Sequence, residues 1–115
     1  MTTFIDTAKC ERVKSTQFQG EFSEIVNKEL CGAQDVVGTL RWLNKDEQFQ
    51  AQPLEGNCQL IYLMEGSGII HLQDKDYEVA KGMGAYLDLG EEANVANFGA
   101  EPLKLFHLVV PEKKD

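Results

Sequence analysis

Glycine spacing is the feature that most restricts what this chain can fold into. The sequence has ten glycines in 115 residues, and Gly32, Gly38, Gly56, Gly66, Gly68, Gly82, Gly84, Gly90 and Gly99 separate short apolar runs. Glycine weakens a helix interior but suits tight turns, so this punctuation predicts short strands joined by frequent turns. Strands are expected at residues 36–43, 59–64, 68–72, 77–79, 84–87 and 103–110. The polar Gln73-Asp74-Lys75-Asp76 forms a hairpin turn, and Asn44-Lys45-Asp46 ends the strand before it. Residues 21–30 are ambiguous. Phe22, Ile25, Val26 and Leu30 fit a helical period, and the same stretch could be an edge strand. Strands without long intervening helices imply an all-β sandwich or barrel.

The length allows one domain with a moderate core. The reading is a single domain over residues 1–115, with N-terminal strands or a short helix at 1–38 and the barrel at 39–111. Hydrophobic residues make up 43% and charged residues 26%, ordinary values for a folded domain. No apolar run approaches the roughly 18 residues needed to span a bilayer. The polar N-terminus does not resemble a secretory signal, so the expected location is the cytoplasm.

The net charge is −8, from 19 acidic and 11 basic residues. That balance excludes non-specific nucleic-acid binding, which depends on Lys and Arg neutralising phosphates, and docking on an anionic membrane. Cys10, Cys31 and Cys58 show no CxxC or Cys/His zinc spacing, and are read as reduced thiols.

The run Ile61-Tyr62-Leu63-Met64-Glu65-Gly66-Ser67-Gly68, followed by Tyr77-Glu78-Val79-Ala80-Lys81-Gly82 and Leu87-Asp88-Leu89-Gly90, resembles the cupin superfamily. The resemblance implies a double-stranded β-helix, or jelly-roll, barrel. In the second cupin motif Gly82 takes the opening glycine, Asp88 the proline, Gly90 the second glycine and Asn97 the closing asparagine. Ala93 falls on the ligand histidine. In the first motif Gly66 fits the closing glycine and Gln59 takes the glutamate. The two histidine positions fall on Pro53 and Glu55, or one residue earlier. None of the three histidines by which such barrels hold a metal is kept, and no cofactor is expected.

The candidate site follows from that placement. Glu55, Gln59 and Ala93 are expected to face the barrel interior, with Ile61, Leu63, Trp42 and Tyr86 lining a mostly apolar pocket. His107 is the preferred titratable residue there. His71, Cys58 and Asp88 are the other groups that could join a metal site with unconventional ligands. The expected function is metal-independent binding of a small organic molecule, in an accessory or regulatory role. One alternative is a metal-free isomerase, epimerase, cyclase or lyase using His107 with Glu55 or a tyrosine as acid and base. A second is a metalloenzyme with unconventional ligands. A homodimer is expected, because a barrel this small leaves sheet edges to be covered.

Overall fold

The computed structural model describes residues 5–7, 10–14, 19–27 and 36–111. In chain order the strands are β1 (Val13–Lys14), β2 (Glu21–Val26), β3 (Val37–Leu43), β4 (Gln48–Ala51), β5 (Asn57–Glu65), β6 (Ser67–Leu72), β7 (Lys75–Ala80), β8 (Gly84–Leu87), β9 (Ala93–Ala96) and β10 (Leu103–Pro111). They form two antiparallel sheets. The larger runs β1-β2-β3-β10-β5-β8 and the smaller runs β4-β9-β6-β7. The 38/39 boundary read from the sequence falls inside β3, so the N-terminal strands belong to the same sheet as the barrel wall. Among the described residues no helix is long and apolar enough to cross a membrane.

The sheets face each other across a core of Leu43, Phe49, Ile61, Leu63, Ile70, Leu87, Val95, Leu103 and Leu105. Strand alternation supplies these inward residues, since successive side chains point to opposite faces. On β10, Leu103, Leu105 and His107 are buried while the intervening Lys104, Phe106 and Leu108 are only partly so. The hairpin between β6 and β7 turns at Gln73 and Asp74, with φ of 51° and 64°. Two successive left-handed residues make a type I′ turn, whose twist matches the flanking strands. The strand therefore resumes at Lys75 rather than Tyr77.

Residues 21–26 form a strand, and the helical alternative there is corrected. Glu24 pairs with Thr39 and Val26 with Gly38, so Ile25 is an extra residue in a β-bulge. A bulge puts consecutive residues out of alternation, which is why the adjacent Ile25 and Val26 imitate a helical period. At its start β2 is not an edge, because β1 pairs there with Glu21 and Phe22. Residues 28–30 of that stretch lie outside those described.

Two positions show what fixes the pairing. A β-carbon at Gly84 would strike the Ile61 carbonyl, so only glycine lets β8 approach β5 this closely. Asn97 is fully buried. Its Nδ2 donates to the carbonyls of Leu43 and Glu101, each at 2.9 Å, and its Oδ1 accepts from the Gly99 amide at 3.0 Å. The residue that the resemblance placed at the end of the second motif thus ties the β9–β10 loop to the end of β3.

Candidate ligand site

Register brings the polar residues of the interior together. His107 on β10 pairs with Thr39 on β3 and with Ile61 on β5. Gln59 lies two residues before Ile61, on the same inward face. His107 Nε2 and Gln59 Oε1 are 2.7 Å apart, at the centre of a buried contact. Gln59 Nε2 donates to the Gln52 carbonyl at 2.8 Å, just beyond the end of β4. Both side chains are nearly out of water, with 7% exposure for His107 and 2% for Gln59. Buried polar groups persist where they are hydrogen-bonded, and this pair meets that condition.

Phe49 and Arg41 complete the cluster. Phe49 comes from the smaller sheet and meets the His107 ring edge-on, with centroids 5.0 Å apart. Arg41, on the inward face of β3, stacks its guanidinium 4.1 Å from the Phe49 centroid, a cation–π contact. Burial lowers the Arg41 pKa to about 10, an effect opposed by the Glu24 carboxylate. Burial is also the main reason that the His107 pKa falls to about 4, with the Arg41 charge adding to it. At neutral pH the site therefore contains a neutral imidazole and a guanidinium cation. Beyond Phe49 along β4 the next inward side chain is the methyl group of Ala51. Ala51 and Ala93 pair across β4 and β9, next to the Phe49–Val95 pair, and each is 1% exposed.

Of the residues expected at the site, the structure brings Gln59, Ile61, Ala93 and His107 into the interior and buries Leu63 deeper along β5. Three expectations are corrected. Glu55 is exposed in the turn between β4 and β5, where with Pro53, Leu54, Gly56, Leu89 and Gly90 it lines a surface cleft of about 520 Å³. Trp42 alternates with Arg41 and so faces away from the interior. It lies half-buried, with the Arg12 guanidinium 4.1 Å and the Lys104 ammonium 5.8 Å from its ring centroid. Tyr86 is 62% exposed. It borders a cleft of about 340 Å³ where the edges of β7 and β8 face one another. Arg41 and Phe49 were not anticipated. The signal for Arg41 was a lone charge in an apolar strand, since Arg is seldom buried without a partner.

The metal site implied by the resemblance does not fit these residues. A transition metal needs three or four N, O or S donors converging on one point. Ala93 has no donor, the Gln59 amide is turned to His107 and Gln52, and Glu55 is in a solvent-facing turn. No three His, Cys, Asp or Glu side chains among the described residues form such a group. The other candidates are dispersed. His71 pairs with Asp76 at 2.6 Å on the exposed face of the smaller sheet. The Cys58 thiol lies 3.8 Å from Asp88 Oδ1, on the opposite side of the β5 pleat from Gln59.

No family model matches the sequence, and no curated protein is detectably similar to it. Solved structures are similar over nearly the whole chain. A predicted oxalate decarboxylase from Thermotoga maritima superposes with a TM-score of 0.80 at 19% identity, covering 96% of this chain and 100% of that one. A sugar phosphate isomerase of the cupin superfamily from Silicibacter pomeroyi gives a TM-score of 0.78 at 13% identity, covering 95% and 76%. The polyketide cyclase RemF from Streptomyces resistomycificus gives 0.78 at 14% identity, covering 100% and 88%. At these identities the likeness is one of fold.

Proposed function

We propose that this chain, a small single barrel with the cupin fold, binds a small organic molecule in its interior without the help of a metal. The observation that carries this reading is the His107–Gln59 pair, a buried, neutral, hydrogen-bonded polar group set against apolar walls. Ligand sites are usually built this way, with a few placed polar groups in a largely apolar lining. Ala51 and Ala93 are the small residues that the facing sheet sets into this interior.

The same pair disfavours acid–base catalysis, although structural neighbours include an isomerase and a cyclase. An acid–base catalyst works best with a pKa near the operating pH, and that of His107 is lowered to about 4. The partners required for that chemistry are elsewhere. Glu55 is on an exposed turn, and Tyr62, Tyr77 and Tyr86 are exposed. The free thiols of Cys10 and Cys58 support a cytoplasmic, reducing location.

A thermal-shift screen of small aromatic and alicyclic compounds tests the reading. Hits should stabilise the native protein by mass action and fail to stabilise a folded Ala93→Phe variant, because the phenyl ring would occupy the space. Ala93→Val intrudes less and should weaken the same hits. It keeps the comparison legible if phenylalanine overpacks the core. Equal shifts in all three proteins would place the ligand site elsewhere.

The reading extends to a homodimer. The outward face of the larger sheet carries Leu60, Tyr62, Tyr86, Phe106 and Leu108 as contiguous cross-strand neighbours, with Tyr62 43% exposed. Contiguous exposed apolar surface on a small protein commonly marks an interface, and a second copy is the proposed occupant. Light scattering at micromolar concentration should give twice the chain mass, and the mass of a single chain would reject the dimer.

A further inference from the structure

The smaller sheet ends in an open edge. β7 pairs with β6 on one side, and among the described residues no strand pairs with its other side. Leu72 and Lys75 flank the two-residue turn as a hydrogen-bonded pair, and along an antiparallel ladder bonded pairs alternate with unbonded ones. Lys75, Tyr77 and Val79 therefore bond to β6, while the backbone N–H and C=O groups of Asp76 and Glu78 point away from the sheet. The Ala80 carbonyl continues that series and accepts from the Met83 amide at 3.0 Å. A cleft flanks this edge on each face. Ile69, Phe98 and Met83 border one of about 380 Å³ on the outward face. Ile70, Leu72 and Met83 border the one of about 340 Å³ toward β8. Glu78 reaches both, and among the described residues it is the only charged side chain in either.

We propose that β7 accepts an extended peptide of another protein as an added strand, one that reads basic–apolar–basic over the residues facing Glu78, Tyr77 and Asp76. Backbone donors and acceptors repeating every second residue are matched by the backbone of another strand. Side chains of the added strand alternate between its faces. The residue opposite Tyr77 enters the apolar cleft toward β8, and its two neighbours lie on the outward face beside Glu78 and Asp76. Glu78 has no side-chain partner among the described residues and receives the first cation. The Asp76 carboxylate lies 2.6 Å from His71 Nδ1, so the second cation joins a group already paired and contributes less. The same acids disfavour a second copy at this edge. Any register that bonds these two residues to their own copies sets carboxylate against carboxylate, and like charges directly opposite are destabilising. A net charge of −8 draws basic segments toward the edge over a longer range.

The test uses the full 15N-labelled chain and the end-capped peptide Thr-Val-Lys-Leu-Lys-Val-Thr, which reads the same in both directions and so assumes neither orientation. In the free protein the Asp76 and Glu78 amides should exchange with solvent faster than those of Tyr77 and Val79. The peptide should slow exchange at both, and should bind about tenfold more tightly than its counterpart with glutamate for both lysines. Glu78→Lys, a substitution at an exposed position, should reverse that preference. A peptide N-methylated at both lysines keeps its charges and its leucine but lacks the two N–H groups that face the edge, and should not bind. Equal protection of Asp76, Tyr77 and Glu78 in the free protein would overturn the proposal. Protection that rises with protein concentration would give the edge to a second copy and reject the peptide. Undiminished binding of the N-methylated peptide, an unreversed preference in Glu78→Lys, or no binding of the lysine peptide at millimolar concentration would each reject it as well.

Discussion

Between pH 6.5 and pH 4 the protein should lose about 3 kcal/mol of folding stability through His107 alone. In the unfolded chain the imidazole takes up a proton near its ordinary pKa of about 6.5. In the folded barrel it does so only near 4, because burial and the Arg41 charge oppose the cation. Within that window the unfolded state binds more protons than the folded state, so falling pH favours unfolding. The contribution is complete above the unfolded pKa and is gone once pH has dropped through the folded one. Denaturant titrations at pH 7 and pH 4.5 measure the difference, and His107→Gln serves as the control. The variant should lose distinctly less over the same interval, whatever its stability at pH 7. Equal losses in the two proteins would mean that the imidazole is not held neutral in the interior.

Phe49→Ala should cost roughly 3–5 kcal/mol, the range for truncating a buried phenylalanine. Thermal unfolding would register it as a Tm drop of about 12 °C or more for a domain of this size. The ring is 2% exposed and is the contact surface for both Arg41 and His107. Its removal therefore has a second consequence. Water reaches the imidazole, the desolvation that depresses the His107 pKa is relieved, and the pKa should rise toward its ordinary value. Phe49→Leu keeps most of the apolar volume and allows the pKa to be followed by NMR in a protein that stays folded. A loss below about 1 kcal/mol in Phe49→Ala would show that the ring is not a core residue.

The framework strands were legible where alternation and apolar runs coincide. Residues 36–43, 59–64, 84–87 and 103–110 were read within two or three residues of β3, β5, β8 and β10, because each has enough apolar side chains to be recognised alone. β4 and β9 were not. Gln48-Phe49-Gln50-Ala51 and Ala93-Asn94-Val95-Ala96 are short, half polar and low in β-branched residues, and they pair with each other. Their strand character comes from tertiary pairing rather than from propensity. At residues 21–26 the bulge at Ile25 broke the alternation on which recognition depends.

The site was legible to the extent that motif spacing fixes strand faces. Gln59 and Ala93 were placed inside because their positions count from glycines that the fold holds in turns, Gly66 and Gly90, both at positive φ. Glu55 was misplaced by the same count, since it falls in a turn whose direction the spacing does not determine. Trp42 was a question of parity. An apolar ring and a cation alternate on β3, and hydrophobicity alone would send the tryptophan inward. Pairing of Thr39 with His107 puts Arg41 inward instead, and the Phe49 ring makes that burial tolerable through the stacked contact.

Chemical-shift mapping with the best hit from the ligand screen tests the central claim most directly. With backbone and side-chain resonances assigned, the hit is titrated into the native protein and the perturbed residues are recorded. The account predicts that the shifts centre on Gln59, Ile61, Ala93 and His107 and fade toward the outer faces of both sheets. Shifts centred on Gln50, His71 and Gln73, or on Tyr77, Met83 and Tyr86 at the β7–β8 seam, with the interior unmoved, would contradict it.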